Sequence, residues 1–222
     1  TGQDRILMQT VQTMQRTIQA VTDQTPEALE TLLEMFCVIF PEDVRYLPHL
    51  RECARQARTG ARYRLWLFLA DGKLAGFRVF SYLDRFNFGL SAYVGFLPEA
   101  RGQGHARHFQ QMVLDDLIRA AAPRRPIGLV GEMPRPFDEE SRVRAAIFQH
   151  LGAHLLPLDY IEPGGLYGMP NAAEDKPATL YLIPLVEYND GLLPNIVRGV
   201  YEDGYRMPPD HAYIRRLLHE DL

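Results

Sequence analysis

The amino-acid sequence predicts an α/β (α+β) protein, and three observations support this fold class. Strand-like apolar runs flank the dipeptide Asp71-Gly72, which is typical of a β-hairpin over 63–83. Two segments after residue 25 carry apolar residues at helical spacing. A further strand, over 88–97, leads through a glycine-containing loop directly into a long amphipathic helix.

The first half of the chain contains the hairpin and the two early helices. Thr25-Pro26-Glu27 marks a helix start, with a capping hydroxyl, a proline at the first helical position and an acid in the first turn. Over 1–22, a helical spacing of apolar residues competes with a short strand at 16–22. The other predicted elements are helices over 26–40 and 48–58 and strands over 63–70, 73–83 and 88–97.

The second half continues the alternation of helices and strands. Asp138 caps a helix that Gly152 ends, and Val143, Ile147 and Leu151 form its apolar stripe. The predicted elements are a helix from 101–106 to about 122, a strand over 127–133, a helix over 138–151, strands over 153–161 and 179–187, and helices over 192–202 and 209–219. The insertion at 163–176 is long for a hairpin, and such loops often bind ligands.

The overall composition is that of a soluble globular protein, with 46% hydrophobic and 23% charged residues. A net charge of −4 gives no reason to expect a nucleic-acid surface. No apolar run has the length of a membrane span, and the first twenty residues lack the apolar core of a signal peptide. We therefore expect a cytoplasmic protein without nucleic-acid or membrane partners.

The sequence gives no metal-binding pattern. Cys37 and Cys53 fall in predicted helices without metal-ligand spacing, and we expect both to be reduced and buried. His105 and His108 are one helical turn apart but lack a third ligand, so we expect them at the surface or beside a phosphate.

The loop between the strand over 88–97 and the long helix suits a phosphate or pyrophosphate. Gly102 and Gly104 allow a tight turn and a close approach of a ligand to the backbone. The first N–H groups of the helix lack intrahelical acceptors and lie at the positive end of the helix dipole. Arg101 and Arg107 add permanent positive charge on either side.

The spacing of the loop distinguishes between kinds of phosphate loop. No Gly-Lys-Ser/Thr occurs in the chain, and Arg107 stands where a dinucleotide fingerprint has its third glycine. The pattern [QR]-x-x-G-x-[GA] is met by Arg101, Gly104 and Ala106. With the preceding Phe96-Leu-Pro-Glu-Ala, the loop resembles that of the GNAT superfamily, the acyl-CoA-dependent N-acetyltransferases. The alternative is a plain strand-to-helix turn whose glycines serve geometry alone.

The resemblance implies a mixed, mostly antiparallel central sheet that is splayed at the cofactor site and flanked by helices. It covers 16–187, favours a strand over 16–22, and leaves 1–15 as an N-terminal segment and 188–222 as a helical extension. We expect this extension either to cover a hydrophobic edge of the protein or to form a homodimer contact. The resemblance further implies that acetyl-CoA donates an acetyl group to a primary amine of a small molecule or peptide by direct attack.

The resemblance also implies where acetyl-CoA binds. The pyrophosphate lies on the loop, and the pantetheine arm runs along the splayed strand as an added strand would. Gly95 either permits a bulge that opens the strand pair or serves packing. The expected cofactor-binding residues are Phe96, Leu97, Arg101, Gly102, Gln103, Gly104, His105, Ala106, Arg107 and Ser141, which stands where the family often has an asparagine.

Acyl transfer needs a base that removes a proton from the amine, a hydrogen-bond donor to the oxyanion, and a way for the thiolate to leave. Glu132, at a strand end, is the expected base, with a solvated or ion-paired acid as the alternative. An N–H of the splayed strand near Phe96 can serve the oxyanion. Many family members protonate the thiolate with a tyrosine at the position of Phe148. Here Tyr160 and Tyr167 are the candidate acids. The alternative for each tyrosine is a packing role in the core or in a loop. If neither is the acid, the thiolate leaves without being protonated.

Two other functions remain open at this point. A chain without the usual tyrosine can be a non-catalytic module that binds acyl-CoA as a sensor. A nucleotide-binding protein that uses the glycine loop differently is the other reading, although the missing third glycine counts against it. We expect the acceptor to contact the two N-terminal helices and the last hairpin, and no motif there identifies it.

Overall fold

The computed structural model describes residues 14–60, 62–166, 169–170 and 174–219. The strands are β1 (Arg16–Ala20), β2 (Tyr63–Ala70), β3 (Lys73–Leu83), β4 (Phe88–Phe96), β5 (Gly128–Pro134), β6 (His154–Leu155), β7 (Ile161–Glu162), β8 (Gly165–Leu166), β9 (Met169–Pro170) and β10 (Lys176–Pro184). The helices are α1 (Pro26–Ile39), α2 (Leu47–Ala57), α3 (His105–Ala121), α4 (Glu139–His150), α5 (Leu193–Arg198) and α6 (Ala212–Leu218). The first dozen residues and Tyr167 lie outside the described residues.

A mixed, mostly antiparallel sheet forms the centre of the protein, as the sequence predicted. Its strand order is β1-β2-β3-β4-β5-β10-β6, and β7 pairs with one end of β10. Only β4 and β5 run parallel within the described sheet. Asp71 and Gly72 form the hairpin turn between β2 and β3 with φ of 48° and 73°, a left-handed turn that matches the strand twist.

The sheet is splayed between its two parallel strands. Pairing of β4 with β5 ends at Ser91 and Gly131. Beyond that point β4 stays paired with β3 as far as Phe96, and β5 stays paired with β10. The β3–β4 register jumps from Val79–Tyr93 to Phe80–Ser91, which makes Ala92 the extra residue of a bulge. We call the gap beyond Ser91 and Gly131 the split.

Helices cover the two faces of the sheet with different cores. Helices α1 and α2 pack on one face, where Leu32, Phe36 and Leu50 are fully buried against Phe77 and other strand residues. Helix α3 covers the opposite face, and Phe109 stacks on Phe68 of β2 at 5.0 Å between ring centroids. Helix α4 lies on this same face, with Phe148 packed against the α3 cluster.

The C-terminal segment packs onto the core instead of extending away from it. Helix α5 passes directly into a π-helix (Gly199–Gly204), and α6 packs on α5. Ile196, Val200, Tyr201 and Ile214 are fully buried. They share one cluster with the sheet residues Phe88, Leu90, Val130, Leu180 and Leu182. The segment therefore covers the part of the sheet around β5 and β10.

Three local predictions were wrong, each for a physical reason. The strand expected over 153–161 is two short strands, because Pro157 has no N–H to donate to the ladder. The last strand begins at Lys176 and ends at Pro184, where 179–187 was expected, because it pairs with β7 from Lys176 and with β5 as far as Pro184, which faces Gly128 at the start of β5. The hydroxyl of Thr25 does not cap α1, since it donates to the carbonyl of Thr22 and accepts from the N–H of Thr22.

Helix α4 and Cys37 also differ from expectation. The capping by Asp138 is confirmed, since its side chain accepts from the N–H of Ser141. The apolar stripe of α4, however, faces solvent, with Val143 and Ile147 about half exposed, because the helix packs through Ser141, Ala145 and Phe148. Cys37 is only half-buried, whereas Cys53 is buried as expected.

Within the described residues, none of the helices is both long and apolar enough to span a bilayer.

Packing of the C-terminal segment can be tested with two isoleucines. Replacing buried Ile214 by alanine should lower the free energy of unfolding by about 2–5 kcal/mol, through lost burial and the cavity left behind. The control Ile147→Ala, at an exposed site, should change it by less than about 0.5 kcal/mol. Urea unfolding followed by circular dichroism measures both. Equal midpoints for Ile214→Ala and the parent would show that α6 does not stabilise the fold.

Candidate active site

The glycine loop has the geometry of an anion cradle. Gly102 and Gly104 have φ of +74° and +73°, a conformation that favours glycine. A Cβ added at either residue would meet nothing within 4 Å, so the space above the loop is open. Gly104 is the N-cap of α3, and no side chain caps this helix. The first N–H groups of α3 therefore remain available to a ligand.

The charged side chains of the loop hold its shape and stay exposed. Arg101 donates from Nε to the carbonyl of Phe96 at 3.1 Å, and Gln103 donates to the carbonyl of Glu99 at 2.7 Å. Arg107 contacts Nε2 and the carbonyl of His150 at 3.2 and 3.4 Å. These contacts occupy part of each side chain and leave further guanidinium N–H groups of Arg101 and Arg107 for an anion.

The side chain of His105 is buried, so of the two expected positions, at the surface or beside a phosphate, the first is wrong. It is 3% exposed, and its ring lies 5.5 Å from the ring of Phe68. Burial lowers the pKa of His105, and the nearby Arg16 lowers it further, so the imidazole is neutral near pH 7. His105 can therefore contribute its backbone N–H to the loop, along with Ala106, whereas His108 is exposed as expected.

Phe96, Leu97 and Ser141 lie near the expected path of a pantetheine arm, but several of their polar groups have partners. The carbonyl of Phe96 accepts from Arg101, and the N–H of Leu97 donates to the carbonyl of Ala75 at 3.0 Å. The hydroxyl of Ser141 completes the cap of α4 with Asp138. Their contact with a cofactor stays a prediction.

Gly95 is a packing residue. A Cβ there would lie 2.7 Å from Cγ2 of Ile39, at the end of α1. The bulge at the split is formed by Ala92 instead. Glycine at 95 thus lets α1 approach β4 closely.

A cavity of about 760 Å³ lies beside the split. On the α1/α2 face it is lined by residues 39–53, and Glu162, Glu174 and Lys176 line it from the C-terminal half. Arg144 of α4 also lines it, so the cavity has walls from both faces of the sheet. Its aromatic lining consists of Phe40, Tyr46, Tyr63, Phe80, Tyr93 and Tyr205.

Glu132 lines this cavity and accepts hydrogen bonds from two tyrosines. The hydroxyl of Tyr205 lies 3.0 Å from both carboxylate oxygens, and the hydroxyl of Tyr160 donates to Oε1. Tyr160 is fully buried and packs on the ring of Tyr201, which holds its hydroxyl in hydrogen-bonding position to Glu132. The structure thus brings the predicted Glu132 and Tyr160 together.

Tyr205 was not predicted from the sequence. It directly follows the π-helix, and its N–H bonds to the carbonyl of Val200 at 3.0 Å, five residues back. Such π-helical turns are rare and often lie at functional sites. The only local signal is a tyrosine after Glu202-Asp-Gly204, which is not specific. The pairing with Glu132, 73 residues away, is visible only in the fold.

Ion pairs and carboxylates surround the cavity. Arg45 bonds Glu174 at 2.7 Å, and Lys176 lies 3.2 Å from Glu162. Burial raises the pKa of both Asp43 and Glu162, with Lys176 opposing the shift. Tyr93 lies close to these carboxylates, and burial together with the charge of Asp43 raises its pKa.

Cys53 and His49 line the cavity as a pair but do not form a nucleophile. The sulfur lies 3.4 Å from Nε2 of His49. Burial raises the pKa of Cys53 to about 12 and lowers the pKa of His49. The thiol therefore stays protonated near neutral pH, and covalent catalysis through Cys53 is disfavoured.

The position at which the resemblance implied a proton-donating tyrosine is occupied by a packed phenylalanine. Phe148 of α4 lies 4.5 Å from the ring of Tyr181 of β10. The hydroxyl of Tyr181 lies over Gly131, beside buried Arg78. Neither Arg78 nor Tyr181 was predicted from the sequence, since each occupies an ordinary position in a strand.

Comparison with solved structures finds acetyltransferases. A protein described as an acetyltransferase of the GNAT family from Bacteroides thetaiotaomicron is 21% identical, with 85% of this chain and 98% of that chain covered and a TM-score of 0.63. Spermidine N-acetyltransferase from Vibrio cholerae, solved with CoA and spermine, is 14% identical, with 76% and 95% covered and a TM-score of 0.51. RimL, a ribosomal alpha-N-protein acetyltransferase solved with CoA, is 12% identical, with 75% and 92% covered and a TM-score of 0.52.

Comparisons with protein-family models and with curated protein sequences find no match. At these identities the structural likeness establishes the fold and not the substrate. It covers most of the chain. The chain therefore has the GNAT fold that its loop motif predicted.

Proposed function

We propose that this protein is an N-acetyltransferase that moves the acetyl group of acetyl-CoA to a primary amine. The observation that carries the proposal is the cavity beside the split, which has Glu132 in its wall and the open glycine loop at the end of β4. A diphosphate fits the loop because its N–H groups are uncapped and its glycines leave the space above them empty. The backbone of β4 beyond Ser91 offers unpaired groups to an extended arm.

Acetyl-CoA, when bound, supplies the activated acetyl group as a thioester. Glu132 accepts the proton of the attacking amine, and Tyr160 and Tyr205 keep its carboxylate oriented toward the cavity. Backbone N–H groups of β4 next to the bulge at Ala92 donate to the oxyanion, closer to Glu132 than the position near Phe96 expected from the sequence. Tyr167 keeps its expected role as a candidate acid, outside the described residues.

The acceptor is a cationic amine in this proposal. Carboxylates of Asp43, Glu132 and Glu162 line the cavity together with several aromatic rings, and both kinds of group attract ammonium ions. Among the structural neighbours, one was solved with spermine and one acts on a protein amine, so small-molecule and peptide acceptors both remain candidates. The homodimer and the cytoplasmic location expected from the sequence remain proposals too.

A sensor of acyl-CoA is the second candidate function. The observation that favours it is Phe148, which places a ring without a hydroxyl against Tyr181 at the usual site of the acid. Thiol release from acetyl-CoA in the presence of amines, such as spermidine and a tripeptide, separates the two. Binding without turnover across the panel would favour the sensor.

The loop is tested by Gly104→Glu. The added carboxylate would repel a diphosphate and fill the open cradle, so the affinity for acetyl-CoA should fall by at least about tenfold, or about 1.4 kcal/mol. Isothermal calorimetry measures the loss. The control Gly60→Glu lies between α2 and β2 with a similar φ of +67° and so carries a similar backbone cost. Equal binding by Gly104→Glu and the parent contradicts the proposal, as does stabilisation of the parent by ATP or NAD but not by CoA.

The base is tested by Glu132→Gln, which keeps the shape of the side chain. We expect kcat/KM for the best amine of the panel to fall by about 10²-fold or more, because the amide cannot take the proton. Affinity for acetyl-CoA should remain. Glu42→Gln is the matched control, since Glu42 lines the same cavity but is exposed. A Glu132→Gln enzyme with the parent's rate and pH profile would exclude Glu132 as the base.

A further inference from the structure

Three polar side chains form a buried cluster at the base of the split. Arg78 of β3 is 2% exposed, Ser91 of β4 is 5% exposed and Tyr181 of β10 is 2% exposed. Arg78 donates to Oγ of Ser91 from Nη2 at 3.2 Å and from Nε at 3.4 Å. The hydroxyl of Tyr181 lies beside this pair, and the charge of Arg78 and the hydroxyl of Ser91 both act to lower its pKa against the effect of burial.

The cluster lies where the strands part. Ser91 and Gly131 are the last residues that β4 and β5 pair, and Tyr181 pairs with Gly131 from the other side. A Cβ added to Gly131 would lie 2.2 Å from the hydroxyl oxygen of Tyr181, so this hydroxyl occupies the space above that glycine. The cluster therefore faces α3 and α4, the same side of the sheet as the glycine loop.

Within the described part of the chain, the charge of Arg78 lacks an anionic partner. No carboxylate there forms an ion pair with it, and both of its side-chain hydrogen bonds go to the hydroxyl of Ser91. Burial lowers the pKa of Arg78, with Tyr181 opposing the shift, yet a guanidinium stays protonated in proteins. A buried charge without a counter-charge is costly, and the three side chains bring more donors than acceptors. This environment favours an anion.

Resting on the proposed acetyl transfer, we propose that Arg78 and Tyr181 stabilise the CoA thiolate as it leaves. The amine nitrogen forms its bond to the acetyl carbon, and its proton passes to Glu132. The C–S bond then breaks, and its electron pair goes to sulfur. Sulfur leaves as the anion, held by the positive charge and the hydroxyl at the base of the split. No acid is needed at the position of Phe148.

The charged groups near the split do not cancel the attraction between Arg78 and the leaving thiolate. Near the split, Arg144 of α4 adds positive charge, and the carboxylate of Glu132 is held by two tyrosines. The cavity beside the split is also lined by the ion pairs Arg45–Glu174 and Lys176–Glu162 and by the carboxylates of Glu42 and Asp43. Successive residues of a strand point to opposite faces, so Glu132 lies on the other face from the hydroxyl above Gly131. Water is largely excluded around the cluster, so the charge of Arg78 is weakly screened.

The test measures the thiol pKa of bound CoA from the ultraviolet absorbance of the thiolate during a pH titration. Free thiols of this kind ionise near pH ~8.5. With CoA on the intact protein, the thiol pKa should be lower by about one unit, a tenfold shift in the ionisation equilibrium. Arg78→Met should abolish this shift, Tyr181→Phe should reduce it, and Arg78→Lys should keep most of it. The control Arg64→Met removes an arginine of the same sheet that pairs with Asp116 and should leave the shift intact.

The outcomes separate this proposal from the one on which it rests. If the parent protein binds CoA saturably but the thiol pKa of the bound CoA is unshifted, the proposed thiolate site is wrong while the proposed acetyl transfer still stands. This measurement uses the parent protein alone, so it does not depend on whether any variant folds. A lowered thiol pKa that persists in folded Arg78→Met overturns it as well. Failure of the parent to bind CoA overturns the proposed acetyltransferase, and the thiolate site with it.

Discussion

The early end of pairing between β4 and β5 is the constraint on which the rest of the structure depends. Each strand is held on its outer side, β4 by β3 as far as Phe96 and β5 by β10 as far as Pro134. The bulge at Ala92 bends β4, and the close contact of α1 at Gly95 holds the bent strand in place. The split therefore stays open without unpaired outer edges, and its inward-facing backbone groups are left for a ligand.

The split also separates two different electrostatic environments. The α3/α4 side carries the uncapped helix N-terminus, exposed arginines and buried Arg78. The opposite side carries the carboxylates of Asp43 and Glu162 and the tyrosine-bound Glu132. An anionic donor and a cationic acceptor would thus approach from opposite faces and meet in the gap, which brings the reacting groups together.

Local chemistry made the loop, the hairpin and the Asp138 cap predictable, because each depends on residues a few positions apart. The position of Glu132 at a strand end was also sufficient to nominate it. Tyr205 and Arg78 could not be found this way, since their roles come from partners 73 and 13 residues away. Thr25 shows that a local pattern is not always sufficient. It is a favourable capping residue, but its hydroxyl is hydrogen-bonded to the carbonyl and the N–H of Thr22 and does not cap α1.

The C-terminal segment positions Tyr205, one of the two tyrosines that donate hydrogen bonds to the proposed base Glu132. Tyr205 reaches both oxygens of Glu132 only because the π-helix packs on β5 and β10 through Val200 and Tyr201. The two tyrosine hydroxyls fix the orientation of the Glu132 carboxylate but do not make it a stronger proton acceptor. The environment of the amine must therefore also favour loss of its proton. Partial enclosure of the cavity favours this step, because loss of water disfavours the charged ammonium form, whereas the carboxylates and aromatic rings that bind the cation oppose it. In the proposed reaction, burial of the acceptor therefore acts together with Glu132 in the deprotonation.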